Sequence, residues 1–223
     1  MIFVQFLKSL DELLFELVSW IVFFPVTLAR VLRRPLAMMD HVEAELRKPA
    51  DAQFTDLLSP PVFLVLAILI AHAAELALLG PDAVVTSNRG LAALVDDNTS
   101  LLLLRLVTFS VYPLVMAVNI VRKEERHLDR DALQGPFYAQ CLMVGPLVLV
   151  LGAALVLIGL EPPLAKLAGL VVAAAAFASY GAVQTAWFAR RLQRPLARGL
   201  LDASIAMIEA LAAVALLALL FHA

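Results

Sequence analysis

The chain has 223 residues, of which 62% are hydrophobic and 16% are charged, and its formal net charge is −2. A soluble domain has roughly 25% charged and about 45–50% apolar residues, so this composition excludes an ordinary soluble fold and indicates contact with lipid. The negative net charge argues against a nucleic-acid partner, because binding to phosphates needs a basic surface. The single cysteine, Cys141, excludes an internal disulfide, and no zinc-ligand spacing is present.

The first 60 residues form a predicted N-terminal region with an amphipathic helix over 13–32. Polar residues recur there at a spacing of about 3.5 residues, which gives the helix a narrow polar stripe. Two placements are open: an interfacial or re-entrant helix with Trp20 at headgroup depth, or a further membrane span. The stripe and Pro25 favour the first placement. The segment lacks a signal-peptide cleavage pattern, so we expect it to be retained.

Five later segments are long and apolar enough to cross the hydrocarbon core, which takes about 20 residues of helix. Lipid offers no hydrogen-bond partners to the backbone, so each segment must be an α-helix. The sequence therefore predicts an all-α, polytopic integral membrane protein with five transmembrane helices, or six if 13–32 also crosses. The transmembrane domain covers 61–223, and its spans are 61–80, 101–121, 137–160, 164–188 and 205–221.

Arginine and lysine are concentrated in alternate connections. The segments 30–48, 122–136 and 190–198 each hold at least four of them, whereas 81–100 and 161–166 hold one each. By the positive-inside rule the basic segments face the cytoplasm, and the C-terminus is then periplasmic. The prevalence of arginine over lysine fits a bacterial protein, so the predicted location is the bacterial inner membrane.

Charged residues enter the first two of these spans. Glu75 and Arg105 each lie about five residues from the outer end of their span, which puts them at similar depth. An unpaired charge within lipid costs about 2.5–3.5 kcal/mol, so we predict an intramembrane salt bridge between them. His72, one turn before Glu75, is a candidate proton-responsive neighbour. The pair is either a functional site or a staple between two helices.

A second polar layer is predicted near the cytoplasmic ends of the spans. It consists of Asn119, Gln140, Gln184 and Glu209. Glu209 is the lone carboxylate of an Ala/Leu-rich run, so it is either protonated or hydrogen-bonded to the neighbouring amides. Two interpretations are open: helix-to-helix contacts, or a polar path that reaches the outer pair through Tyr112 and Tyr180.

Small residues indicate where helices approach closely. Gly145, Gly152 and Gly159 recur every seven residues on one face of the span 137–160. In the span 164–188, Gly169 and Ala173 form a small-xxx-small pair. We predict that these two spans pack tightly against each other.

No motif indicates catalysis. The chain has no phosphate-binding glycine loop, no HExxH and no G-x-S-x-G, so we predict no enzyme, no catalytic residue, no cofactor and no metal. The nearest charged cluster is Asp40 and His41 with Glu43 and Glu45, whose spacing is that of ordinary helical ion pairs.

Two stretches carry a resemblance. "FFPVTLARVLRRPLAMM" (23–39), followed by "FTDLLSPPVFLVLAILIAHA" (54–73), is similar to the layout of Yip-type membrane proteins and of small bacterial proteins loosely labelled permeases. The shared features are a Pro-containing amphipathic approach, a Ser-Pro entry into the membrane and five spans. The resemblance implies an all-helical inner-membrane domain with a role in transport or membrane organisation.

The polar layers favour a small permease or channel-like protein of unknown substrate. Five spans leave little room for a cavity within one protomer, so we expect it to work as a homo-oligomer. The alternative is a non-transporting scaffold, assembly or lipid-organising protein of Yip-like type. In that case the arginine-rich cytoplasmic face contacts anionic lipids or a partner.

Overall fold

The computed structural model describes residues 2–80 and 98–222, and it contains α-helices but no strand within those ranges. The all-α prediction is therefore confirmed. The helices are α1 (Ile2–Arg33), α2 (Pro35–Leu46), α3 (Pro60–Leu79), α4 (Asn98–Lys123), α5 (Arg130–Gly159), α6 (Pro163–Arg191) and α7 (Leu196–His222).

Six of the described helices are long and apolar enough to cross a membrane, namely α1 and α3 to α7. The chain is thus a polytopic membrane protein, and the five predicted spans each correspond to one helix. The sixth is α1, which qualifies over Leu14–Arg33 and continues without a break through Pro25. The sixth-span alternative for this segment therefore matches the length and apolarity of the helix.

The ends of the helices differ from the predicted spans, most of all in α7. That helix begins at Leu196, nine residues before the predicted start at 205. Its first turns carry Arg198 and Asp202, and these charges interrupt the apolar run without interrupting the backbone hydrogen bonds. Helix α5 likewise begins at Arg130 rather than 137. Apolarity marks the lipid-compatible part of a helix, whereas the helix itself continues beyond it.

Helix α5 is the centre of the bundle. Of its span, 61% is buried, against 11–39% for the other five spans. It contacts α1, α2, α3, α4 and α6, while α7 packs against α4 and α6. The short helix α2 contacts α5 and α6 near the end of the bundle where α1, α4 and α6 end and α3, α5 and α7 begin. We call this the arginine-rich end.

The predicted glycine face packs against a different helix from the one we expected. A Cβ added to Gly145, Gly152 or Gly159 would lie 2.5–2.9 Å from a side chain of α3. The expectation that this glycine face meets α6 is therefore wrong. A spacing of seven residues shows that the glycines share one face of α5, but it does not show which helix packs on that face. Helices α5 and α6 do pack tightly, and here the prediction is confirmed: a Cβ on Gly169 would lie 2.6 Å from the carbonyl oxygen of Ala154.

Candidate functional site

The two charged residues predicted to pair within the membrane form an ion pair. The guanidinium of Arg105 in α4 donates a hydrogen bond to the carboxylate of Glu75 in α3. The two side chains are only 19% and 17% exposed, so the pair is largely withdrawn from its surroundings. His72 is buried one turn earlier in α3. The pair therefore links α3 to α4 near the ends opposite the arginine-rich end.

The inner polar layer divides into two separate clusters. In the first, Gln140 of α5 and Gln184 of α6 exchange two hydrogen bonds of 2.8 and 2.9 Å. The hydroxyl of Tyr180 donates a third bond of 2.9 Å to Oε1 of Gln140. Both glutamine side chains are fully buried. These amides satisfy one another, which makes this glutamine cluster a fastening between α5 and α6.

Glu209 belongs to the second cluster and not to the glutamines. Nδ2 of Asn119 in α4 donates a 2.8 Å hydrogen bond to the Glu209 carboxylate and a 3.1 Å bond to the carbonyl of Val115. Glu209 was predicted to be either protonated or hydrogen-bonded to a neighbouring amide, and the structure contains the hydrogen bond. Glu209 is nevertheless exposed on the surface of α7, so one side of this carboxylate faces out of the bundle.

The two tyrosines of the predicted path lie side by side. The rings of Tyr112 in α4 and Tyr180 in α6 are 5.8 Å apart in an edge-on arrangement. The hydroxyl of Tyr112 is buried and has no hydrogen-bond partner among the described residues. Among the described residues, no hydrogen bond leads from Tyr112 to Glu75, so the predicted path is not continuous there.

Among the cavities lined by described residues are four of 380–460 Å³, and none of these four has Glu75, Arg105 or Glu209 in its lining. None of these four therefore connects the two polar layers. The cavity of about 450 Å³ between α1, α5 and α6 has an apolar lining apart from Ser179 and the Tyr180 hydroxyl. Among the described residues, the hydrogen bonds of each layer link neighbouring helices, and none joins the two layers.

A network of ion pairs closes the arginine-rich end, and sequence reasoning missed it. Arg191 at the end of α6 lies 2.5 Å from the carboxylates of both Glu43 in α2 and Glu124, which follows α4. Its guanidinium also stacks over the ring of Trp187, 5.3 Å from the centroid. One arginine therefore joins three parts of the chain that are far apart in sequence.

Further ion pairs bring the remaining basic segments to the same end. The carboxylate of Asp202 in α7 is shared by Lys123 of α4 and by Arg194, each at 2.8 Å. Arg190 lies 2.8 Å from Asp40 in α2. The three basic segments predicted to share one side of the membrane thus meet at one end of the bundle. The acidic residues interleaved among them were the sequence signal for this network.

Glu45 is the most deeply buried acid at this end, with 1% exposure. It accepts hydrogen bonds from Nζ of Lys48 at 2.5 Å and from the backbone N–H of Phe54 at 2.8 Å. Nε2 of His41 lies 3.2 Å away. The hydrogen bond from Lys48 is the main reason why the pKa of Glu45 is lowered, and burial opposes it. The residue holds α2 against the segment that leads into α3.

His41, Glu45 and Asp56 are the described residues whose arrangement comes nearest to a metal site. Their potential ligand atoms lie within 4.8 Å of one another. Both carboxylates are already neutralised by a cation, since Glu45 pairs with Lys48 and Asp56 pairs with Arg30 at 2.7 Å. We therefore assign no ion to this cluster.

Replacing Glu45 with glutamine is expected to make the stability of the protein less dependent on acid. Because the folded-state pKa of Glu45 lies below its ordinary value of 4.5, the carboxylate stabilises the fold above that pH. This contribution disappears as the pH falls through the folded-state pKa. Glu45→Gln should thus be less stable than wild type at pH 7, and the two should converge in acid.

The measurement is detergent-micelle unfolding at several pH values. Glu161→Gln serves as the control, because Glu161 is exposed and has no ion-pair partner among the described residues. The control should follow the wild-type curve throughout. A constant difference between Glu45→Gln and wild type at every pH would contradict the assigned role.

Together the fold and these contacts define an all-helical, multi-pass membrane protein. Its intramembrane polar groups fasten helices to one another, and most of its described charged groups lie at the arginine-rich end. Comparison of the chain with protein-family models, with curated proteins and with solved structures finds no match. Function must therefore be inferred from the contacts themselves.

Proposed function

We propose that the protein is a non-transporting membrane protein that holds anionic lipids at its arginine-rich end. In this proposal the arginine-rich end faces the cytoplasm of a bacterial cell, following the positive-inside rule, and the C-terminus lies in the periplasm. Anionic lipids attract basic groups that lie close to the membrane surface. Guanidinium groups suit this task because they bind phosphate through two parallel hydrogen bonds.

One contrast carries the proposal. Polar side chains inside the spans bond one another within the protomer, in the outer ion pair and in the glutamine cluster. At the arginine-rich end, by contrast, several exposed arginines have no ion-pair partner among the described residues. They are Arg33, Arg34, Arg47, Arg122, Arg130 and Arg198. Three exposed acids at this end, Asp51, Glu125 and Asp131, also lack an ion-pair partner among the described residues, so the charge available to an external ligand there is positive in excess.

A permease-like homo-oligomer is the second candidate, and Glu209 is the observation that favours it. Glu209 lies on the side of α7 that faces out of the bundle, and placing a carboxylate in contact with lipid costs free energy. Contact between α7 helices of two copies would bury it and would place two carboxylates along a path between protomers. Transport and membrane organisation are the two roles that the Yip-type resemblance of the sequence implies.

Reconstitution into liposomes separates the two candidates. We expect purified protein to add no flux of ions or small solutes above that of protein-free vesicles. We also expect lipid extracted with the protein to be enriched in anionic species relative to the surrounding bilayer. Glu209→Gln should leave both results unchanged, because Glu209 takes no part in holding lipid at the arginine-rich end.

Flux that depends on the protein and changes in Glu209→Gln would support the permease-like oligomer and reject the first proposal. Absence of flux together with no enrichment of anionic lipid would reject both candidates. A folded state must be verified for each sample by its helical circular dichroism.

A further inference from the structure

A cavity of about 460 Å³ opens at the arginine-rich end, where the C-terminus of α1 meets the N-terminus of α2 and the segment before α3. Three arginines line it, namely Arg30, Arg33 and Arg34, and Asp56 is the one carboxylate in its lining. Its volume falls within the range of about 300–1,000 Å³ that small-molecule sites occupy. Arginines that only set the orientation of a protein in the membrane do not need to line a cavity. Here three arginines line one, which indicates a binding role.

The charges around this cavity do not cancel. Arg30 lies 2.7 Å from the Asp56 carboxylate, so these two neutralise each other. The hydrogen bond from Arg30 lowers the pKa of Asp56 below its ordinary value, which keeps the carboxylate ionised near neutral pH. Arg33 and Arg34 are exposed and have no ion-pair partner among the described residues. Two positive charges therefore remain free to meet an anion.

The start of α2 adds to the positive potential. The helix begins at Pro35, directly after Arg34, and no side chain caps its N-terminus. Its first turn contributes Ala37 to the lining of the cavity. Pro35 has no N–H and the N–H of Met38 bonds the carbonyl of Arg34, so the first free N–H groups are those of Leu36 and Ala37. Such groups at a helix start carry partial positive charge and are a common place for phosphate to bind. The helix runs for 12 residues, long enough for this effect.

The position of the cavity between the ends of two candidate spans fits the depth of lipid headgroups. The apolar stretch of α1 ends at Arg33, and the apolar span of α3 begins at Pro60. The arginines and Asp56 are thus placed just where two spans leave the hydrocarbon core. Met38 and Leu57 provide apolar walls on the same cavity. A ligand that fits this position has an anionic head beside apolar chains.

We propose that this cavity binds the phosphate group of an anionic phospholipid, with Arg33 and Arg34 donating hydrogen bonds to the phosphate oxygens. The start of α2 faces the same anion, and Asp56 holds Arg30 at the edge of the cavity. This inference rests on the proposed function, since it names the site at which the arginine-rich end holds lipid.

The test is lipid retention measured by native mass spectrometry. Protein in micelles receives equal amounts of phosphatidylglycerol and phosphatidylcholine. We expect the double variant Arg33→Gln/Arg34→Gln to lose its preference for phosphatidylglycerol by about tenfold or more, since each basic group near a membrane surface adds to anionic-lipid binding. The matched control is Arg126→Gln/Arg190→Gln, which removes the same charge from exposed arginines at the same end that lie outside the cavity and pair with Glu124 and Asp40. It should keep the preference.

A second variant has the opposite expected sign. Asp56→Asn frees Arg30 for the ligand, so its preference for phosphatidylglycerol should exceed that of wild type. An equal loss of the preference for phosphatidylglycerol in both arginine double variants would reject this cavity as the lipid site. The proposed function would remain supported. No loss in Arg33→Gln/Arg34→Gln would reject the inference alone, whereas no preference for phosphatidylglycerol in the wild type would reject the inference and the proposed function together. Displacement of the lipid by inorganic phosphate would show that the site takes free phosphate, which overturns its assignment to lipid.

Discussion

Replacing Gly169 with alanine is expected to destabilise the protein by about 1–3 kcal/mol, the usual effect of overpacking a close contact. The added Cβ would lie 2.6 Å from the carbonyl oxygen of Ala154 and 3.1 Å from the backbone nitrogen of Ile158. Both atoms belong to the backbone of α5, so neither can move aside by a change of rotamer. The variant must instead push α6 away from the central helix of the bundle.

Gly181→Ala is the matched control, because Gly181 lies in the same helix. A Cβ at that position would find its nearest neighbour, the sulfur of Met207, at 3.7 Å, an ordinary contact distance. Alanine favours a helix over glycine by up to about 1 kcal/mol, so this variant should be as stable as wild type or slightly more stable. The measurement is the free energy of unfolding from titration with SDS in mixed micelles, followed by circular dichroism. Equal stability of the two variants would show that α5 and α6 are less closely packed than described.

The helical type of the fold and five of its six candidate spans could be predicted, because they follow from the apolar segments of the sequence. Spanning segments must be apolar and must satisfy their own backbone, and both conditions are readable in a single sequence. The weak point was the segment 13–32, whose polar stripe favoured an interfacial helix. In the structure Thr27 of that stripe is buried and accepts a 3.1 Å hydrogen bond from the backbone N–H of Leu58. A polar stripe can face a neighbouring chain segment as well as water.

Depth could be predicted, whereas neighbours could not. Helical rise correctly placed Glu75 level with Arg105, because only one connection separates their helices. Glu209 was predicted to bond the amides of Asn119, Gln140 and Gln184, and the sequence did not indicate that Asn119, 90 positions away, would be the partner. The depth of a residue in the membrane follows from its position in its own helix. Its neighbours depend on how the helices of the bundle pack against one another. For the same reason the cavity lined by arginines could not be predicted. It depends on the contact between Arg30 and Asp56, which are 26 positions apart in the sequence.

Breaking the outer ion pair should reveal how strongly Glu75 and Arg105 depend on each other. Glu75→Gln leaves a guanidinium in a largely buried position, and Arg105→Gln leaves a carboxylate there. Each single change is expected to cost about 2 kcal/mol, somewhat less than the insertion cost at mid-membrane because the pair lies near the helix ends. The double variant removes both charges, so its cost should fall short of the sum by a coupling energy of about 1–2 kcal/mol.

The matched cycle uses Asp40→Asn and Arg190→Gln, an ion pair in which both side chains are at least half exposed, at 50% and 57%. Exposed pairs contribute less than about 1 kcal/mol, so a small coupling is expected there. Unfolding in mixed micelles measures stability, and solute flux in liposomes is measured on the same samples. A helix staple changes stability and leaves flux at the level of protein-free vesicles. Flux that appears or changes only when the outer pair is broken would instead make that pair a gate, and the permease-like oligomer would become the better account.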